Sequence, residues 1–423
     1  MYSRFKAFLF LSGLIFLVVG LIAHFQGSSP NAASATSPAA AKVDKKPAAG
    51  TATAQARAAD TAVKPAAQDL SAIPENWRDD IGVPVLCYHQ IVTDEQYRER
   101  PTPYAVTVKQ LREQMDWLAE KNFYTILPDE LLAYVRGEKK LDFSNGKRPI
   151  VITFDDGNND FVNHAQKILD KHGYKGVLFI YPTYIMAHKK RSMTWAEIQA
   201  VRKAGHAIES HTMWHPMLST MSDDEQRAQF VDSKKMLDQK GGANVQHLAY
   251  PFGIHTSASV RLLKEVGYQS AYTTFHGGNQ VGEHPYLLRR FLIVKGDTAK
   301  PFAQKTLARS LPYRIVGSEP GAVIEGETTL KYLIPPKLNK ENFKVKVFST
   351  AQNFSYDPKS GEIAVTIQPS KKRLSVLEIV YKENGVEYRA NMLLNHKRQA
   401  GAQTSEEKPK KKRRKKRKPK QED

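Results

Sequence analysis

The 423-residue chain is 41% hydrophobic, enough for more than one core, and carries a net charge of +20. Its single cysteine, Cys87, excludes an internal disulfide framework and zinc sites built from several thiolates.

Arg4 and Lys6 precede a nearly unbroken apolar run from Ala7 to Ala23, close to the ~20 residues that span a bilayer. Bulky His24 and Phe25 follow, with no small-x-small cleavage pattern, so residues 1–26 read as an uncleaved anchor rather than a removed signal. The positive flank then stays inside, and the rest is exported to the periplasm or cell surface. A cleaved signal would give a secreted protein instead. Residues 27–75 are rich in Ala, Pro, Ser and Thr and read as a disordered tether.

Strand and helix patterns then alternate over residues 76–300. Pro84–His89 reads as a strand, and Thr107 caps a helix with Val108, Leu111, Met115 and Leu118 on one face. A strand at Phe123–Leu127 and a helix at Asp129–Val135 come next. The apolar run Pro149–Phe154 ends in Asp155, Asp156 and Gly157. A helix with Phe161, Ala165, Ile168 and Leu169 leads to the strand Gly176–Tyr181. Capping boxes Thr194–Glu197 and Ser222–Glu225 start two further helices, with short strands at His206–Glu209 and Val245–Tyr250. A helix over Thr256–Val266 precedes strands at Ser270–Thr274 and Leu287–Val294. Gly173, Gly205 and Gly267 stand where helices end. This order predicts an α/β fold, a distorted (β/α) barrel of about seven units, because the polar motifs all fall at C-terminal strand ends.

Residues 301–395 change pattern. Alternating segments such as Phe343–Phe348, Ile363–Ile367 and Leu377–Tyr381, with turns at Asp357-Pro358 and Asn384-Gly385, predict a small antiparallel β-sandwich. In residues 396–423, eleven of the thirteen positions from Lys408 to Lys420 are Lys or Arg, which is over half of the net charge. Such a tail is disordered, and behind an export signal its expected partners are anionic lipid or anionic surface polymer. No aromatic residue interleaves the run, which argues against nucleic acid.

Two adjacent carboxylates at a buried strand end call for a cation or a shared proton. His211 and His215, four apart, supply two imidazoles. With Asp156 they suit zinc with an open position, or iron or cobalt. Asp155 is then left as a base beside the ion, a pattern for hydrolysis of an amide or ester. The other use of such a set is iron-dependent oxygenation, usually on a jelly roll rather than on β/α units.

Thr153-Phe154-Asp155-Asp156-Gly157, His211-Thr212-Met213-Trp214-His215-Pro216 and Tyr250-Pro251-Phe252-Gly253 resemble the first three motifs of the polysaccharide deacetylases, the NodB-homology domains of carbohydrate esterase family 4. The resemblance covers about Pro84 to Val294. It implies removal of N-acetyl or O-acetyl groups from a polysaccharide, with Asp155 as base and Asp156, His211 and His215 on the metal. Phe252 then offers its backbone N–H to the oxyanion, and Tyr250, Pro251 and His89 border the substrate. The family often orients its base with an arginine where Ala249 stands here, and Arg290 is the candidate substitute. It often takes a general acid from Leu-x-x-His. The matches here, Leu21–His24 and Leu393–His396, lie away from the barrel, which leaves His276 as a weak candidate.

The form of the Pro84–His89 and Tyr250–Gly253 segments is similar to exported deacetylases of poly-β-1,6-N-acetylglucosamine. Peptidoglycan, chitin and xylan are the alternative polymers. A non-catalytic polysaccharide-binding surface protein is the reading of another class. Trp195 and Trp214 are candidates for stacking on sugar rings.

Overall fold

The computed structural model describes Trp77, Arg78 and residues 81–397. The expected anchor, the tether and the basic run lie outside the described residues. No described helix is long and apolar enough to cross a membrane.

Eight parallel strands form the first sheet: β1 (Val85–Tyr88), β2 (Phe123–Thr125), β3 (Arg148–Asp156), β4 (Gly176–Ile180), β5 (Ala207–Ser210), β6 (His247–Ala249), β7 (Ser270–Tyr272) and β8 (Phe291–Leu292). Their order is β8-β1-β3-β4-β5-β6-β7, with β2 paired to the start of β3. The expected late strand Leu287–Val294 is shorter than predicted, but its chain joins both edges. Leu288 bridges Tyr272 of β7, while Phe291 and Leu292 pair with Leu86 and Cys87 of β1. One run of backbone thus closes the ring, because it serves β7 at one end and β1 at the other.

Period-2 alternation sorts the side chains, since parallel strands covered on both faces are apolar on both. Val85, Val151, Val177, Phe179, Ala249, Tyr272 and Leu288 form an inner cluster. The helix Pro128–Val135 adds Leu131, Leu132 and Val135 to that cluster. Leu86, Ile152, Phe154, Leu178, Ile208 and Leu248 face the helical layer and meet Leu111, Met115, Ile198, Phe230 and Leu237. The capping boxes at Thr107, Thr194 and Ser222 are formed, and Gly173, Gly205 and Gly267 take positive φ just past their helices.

The second core lies between two further sheets. Glu362–Ile367 and its neighbours form a four-stranded antiparallel sheet, and Leu374–Glu383 and Val386–His396 centre a six-stranded one. Ile363, Val365 and Ile367 pack with Leu377, Ile379 and Tyr381 between them. Asn384 and Gly385 both have positive φ in the hairpin joining the two longest strands, as a two-residue turn requires.

Three boundaries shift. The β region starts at Arg309, and two of its short strands, Arg309–Ser310 and Val323–Ile324, pair in parallel rather than antiparallel. Its last strand runs to His396, one residue into the expected tail, where His396 Nε2 lies 2.7 Å from Ser375 Oγ. Trp77, expected with the barrel, packs instead against Tyr388 at 4.8 Å in the second core.

Candidate active site

The motifs meet at the C-terminal ends of β1, β3, β5 and β6. Asp155 follows the inward alternation of β3 and is 2% exposed. Asp156 breaks it: its φ of 79° leaves the extended region, and its Oδ1 lies 4.0 Å from His215 Nε2. Thr212, His215 and Phe252 also have φ near +60°, so four non-glycine residues of the three motifs occupy a costly backbone region. Local hydrogen bonds hold the Thr212–His215 segment there. Thr212 Oγ1 accepts from His215 N, and Gln229 Oε1 accepts from the N–H groups of Met213 and Trp214.

One ligand atom each of Asp156, His211 and His215 lies within 4.8 Å of the others. His211 Nδ1 is 2.7 Å from the Ala249 carbonyl, so Nδ1–H donates there and Nε2 keeps its lone pair. Burial lowers the pKa of both histidines, which keeps them neutral, the form that binds metal. Burial raises the Asp156 carboxyl to about 6, with the charge of Asp155 adding to the effect. A cation among these three groups would relieve the strain on Asp156, so the donor set fits a divalent metal.

Asp155 sits differently. Burial pushes its pKa up, but Arg290, then His211 and His89, outweigh burial and hold it below the usual carboxylate range. Arg290 is fully buried and grips the carboxylate with both ends, Nη1 to Oδ1 at 2.7 Å and Nη2 to Oδ2 at 2.9 Å. Its Nε donates to the Thr273 carbonyl at 3.0 Å. Position 249 itself is an alanine, and the guanidinium that meets this carboxylate comes from the approach to β8.

The remaining sequence candidates divide. His89 Nε2 is 4.0 Å from Asp155 Oδ2, with the imidazole partly exposed. The Phe252 ring stands 4.6 Å from that of His215 and is 37% exposed. Tyr250 and Pro251 are buried, and Tyr250 packs in the helical-layer core, so neither side chain borders the substrate as expected. His276 is also corrected: burial, with Lys305 and Arg389, lowers its pKa to about 3. It is neutral near pH 7 and no proton donor. Trp214 is 55% exposed beside His215, whereas Trp195 packs against the core.

Two neighbours were missed by sequence reasoning. Tyr181, the first residue past β4, places its ring 5.2 Å from that of His215. Its position at a strand end was the available signal. Cys87 lies 3.4 Å from Asp155 Oδ2 and, with His89 and Asp155, forms a second potential ligand group. Burial raises the thiol pKa well above its usual value, and Arg290 already holds both Asp155 oxygens, so that group lacks a thiolate and a free carboxylate.

Residues 143–271 match the sequence model of the polysaccharide deacetylase family. The chain is 28% identical over 220 residues to YxkH of Bacillus subtilis, a protein named for polysaccharide deacetylases, spanning 52% of this chain and 74% of that one. It is 23% identical over 182 residues to the poly-β-1,6-N-acetyl-D-glucosamine N-deacetylase of Staphylococcus epidermidis, spanning 40% and 61% respectively. Among solved structures, the Streptococcus pyogenes deacetylase PplD in complex with acetate aligns with a TM-score of 0.49 at 23% identity, over 53% of this chain and 97% of that one. By its family match and its motifs, the chain carries a polysaccharide deacetylase domain, a hydrolase of the NodB-homology type.

Proposed function

We propose that the chain is a metal-dependent hydrolase that removes N-acetyl groups from an extracytoplasmic polysaccharide, with poly-β-1,6-N-acetylglucosamine as the favoured polymer. The observation that carries the reaction type is one buried carboxylate clamped by Arg290 beside a second that shares a ligand cluster with two neutral imidazoles. The polymer rests on the strand forms at Pro84–His89 and Tyr250–Gly253 and on the Staphylococcus relative. The location rests on the Arg4- and Lys6-flanked apolar run, and the basic run Lys408–Lys420 suits an anionic surface.

A divalent metal, zinc by preference over iron or cobalt, would supply Lewis acidity to the acetyl carbonyl and the attacking water. Asp156, His211 and His215 would hold it. Asp155 takes the proton from that water, and Arg290 fixes the direction of its carboxylate. The Phe252 backbone N–H is offered to the oxyanion. His89, on the Oδ2 side of Asp155, gives a proton to the departing amine. Burial, and to a lesser degree Arg290, lower its pKa against the pull of Asp155, so a proton that it takes up is readily given away.

The test is acetate release from poly-β-1,6-N-acetylglucosamine, peptidoglycan, chitin and acetylated xylan, after metal depletion and after zinc return, with Asp155→Asn as control. Zinc-restored release on the first polymer is expected. No release above the control on any polymer overturns the reaction, and faster release on another polymer overturns only the substrate. His89→Gln should slow amide substrates far more than esters with good leaving groups, by about 100-fold. Equal slowing of both would remove His89 from proton donation.

A further inference from the structure

His89 stands where the chain leaves the barrel. Val85–Tyr88 before it belongs to the barrel sheet, and Gln90–Val92 after it pairs in parallel with Ala105–Thr107 in a separate two-stranded sheet. The imidazole itself is weakly held. Cys87 Sγ is 4.0 Å from Nδ1 and Asp155 Oδ2 is 4.0 Å from Nε2, both too long to fix the ring plane. The Tyr104 ring, 5.4 Å away, adds packing. Placement of the imidazole therefore depends on the backbone that carries it.

Two side chains grip that backbone, one on His89 and one two residues on, and both come from the turn that follows Asp156. Asn158 Nδ2 donates to the His89 carbonyl at 3.3 Å, and Asp160 Oδ2 accepts from the Ile91 N–H at 2.7 Å. Asn158 is buried and is itself oriented. Tyr184 donates its hydroxyl to Asn158 Oδ1 at 2.7 Å, which leaves the amide nitrogen to face His89. Between them, Asn159 donates its N–H to the Arg191 carbonyl at 2.8 Å, so the turn is tied down on its other side. A π-helical turn, Phe161–Ala165, begins directly after Asp160, a distortion found mostly at functional sites.

We propose that Asn158 and Asp160 are positioning residues that hold His89 in register with Asp155. The segment 155–160 then carries the base, the proposed metal ligand Asp156 and both holds on the proton donor. The inference rests on the reading of His89 as donor to the departing amine. Its physical content is that acid and base share one short frame, since a reacting group misplaced by about 1 Å loses on the order of 100-fold in rate.

The test compares acetate release from a soluble N-acetylglucosamine oligomer with hydrolysis of para-nitrophenyl acetate, whose leaving group needs no proton. Both are measured on the zinc-loaded full chain and corrected for Asp155→Asn. Asn158→Ala and Asp160→Ala should slow the amide about tenfold or more and the ester less than about twofold. Asp160→Asn keeps an acceptor for Ile91 and should restore most of the amide rate. In a His89→Gln background neither alanine variant should slow the amide further, because the group that they position is gone. Should the alanine variants not fold, Tyr184→Phe, which releases the Asn158 amide, should slow the amide severalfold at an unchanged melting temperature. Amide and ester slowed together, or parent amide rates in folded variants, overturns the positioning role while His89→Gln alone still separates the two substrates. A His89→Gln that does not separate them overturns the reading of His89 and the positioning role together.

Discussion

Replacing Arg290 by glutamine tests the centre of the site. In the folded chain Asp155 is buried, and Arg290 meets both of its oxygens at hydrogen-bond distance. Removing one partner of a buried pair costs about 3–5 kcal/mol, because the other is left as an uncompensated charge. Burial then governs Asp155, and its pKa rises from below the ordinary range to above it. Each unit by which it passes the assay pH removes about tenfold of the ionised base, so turnover at pH 7 should fall about 100-fold or more. The sign on stability also reverses. In the parent the depressed pKa contributes stability that is full above ~4 and lost as pH falls toward the folded value. In Arg290→Gln the raised pKa makes stability decline as pH climbs above ~4, by up to ~1.4 kcal/mol per unit. The assay is acetate release from a soluble acetylated oligomer between pH 5 and 9 with zinc present, alongside thermal unfolding over the same range. The acid limb should move up by ~2 units or more, with activity recovering at alkaline pH. Asp155→Asn should absorb most of the stability loss when combined with Arg290→Gln. A folded Arg290→Gln with turnover within about threefold and an unmoved acid limb would refute the role given to Arg290.

Glu209 is buried inside the barrel, where Oε2 accepts from the N–H groups of Gln246 and His247 at 2.9 and 2.8 Å. Burial raises its pKa to about 7, so the native state holds a proton that the unfolded chain has lost, and stability should fall between pH ~4.3 and ~7. Glu209→Gln keeps an acceptor and should flatten that part of the melting-temperature profile; an unchanged slope would place the titration elsewhere. Tyr250→Phe removes a buried hydroxyl without a partner, so stability should hold or rise by about 1 kcal/mol and kcat/KM should stay within about twofold. A large rise in KM would put Tyr250 against substrate after all. Trp214→Ala should raise KM for polymer about 3–10-fold with kcat and melting temperature unchanged, as expected for an exposed ring on a sugar face. A lower melting temperature would mean that the ring packs.

The sequence already contained the β/α order, because hydrophobic period, capping boxes and terminal glycines are local signals. Thr107, Thr194 and Ser222 cap the helices that they were expected to cap. It also contained the motif residues that the ring of strands gathers, since a strand end announces itself by an apolar run stopping at a polar residue. Other features depended on contacts between distant segments. Tyr250 opens the third motif, yet its ring packs in the core, because the extended backbone that continues from β6 sends Ala249 and Tyr250 to opposite sides. Arg290 was one of two adjacent arginines, and only the register of β8 against β1 sent it to Asp155 and its neighbour to Glu283.

By itself, then, the amino-acid order determined which elements form and which residue types stand at their ends. Those choices depend on interactions a few residues long. The tertiary structure alone decided which carboxylate is clamped and which stays with the imidazoles, and that His276 is held neutral. Each of these depends on charge and burial contributed by segments far apart in the chain, 135 residues in the case of Arg290 and Asp155, and no local pattern in the chain encodes that distance.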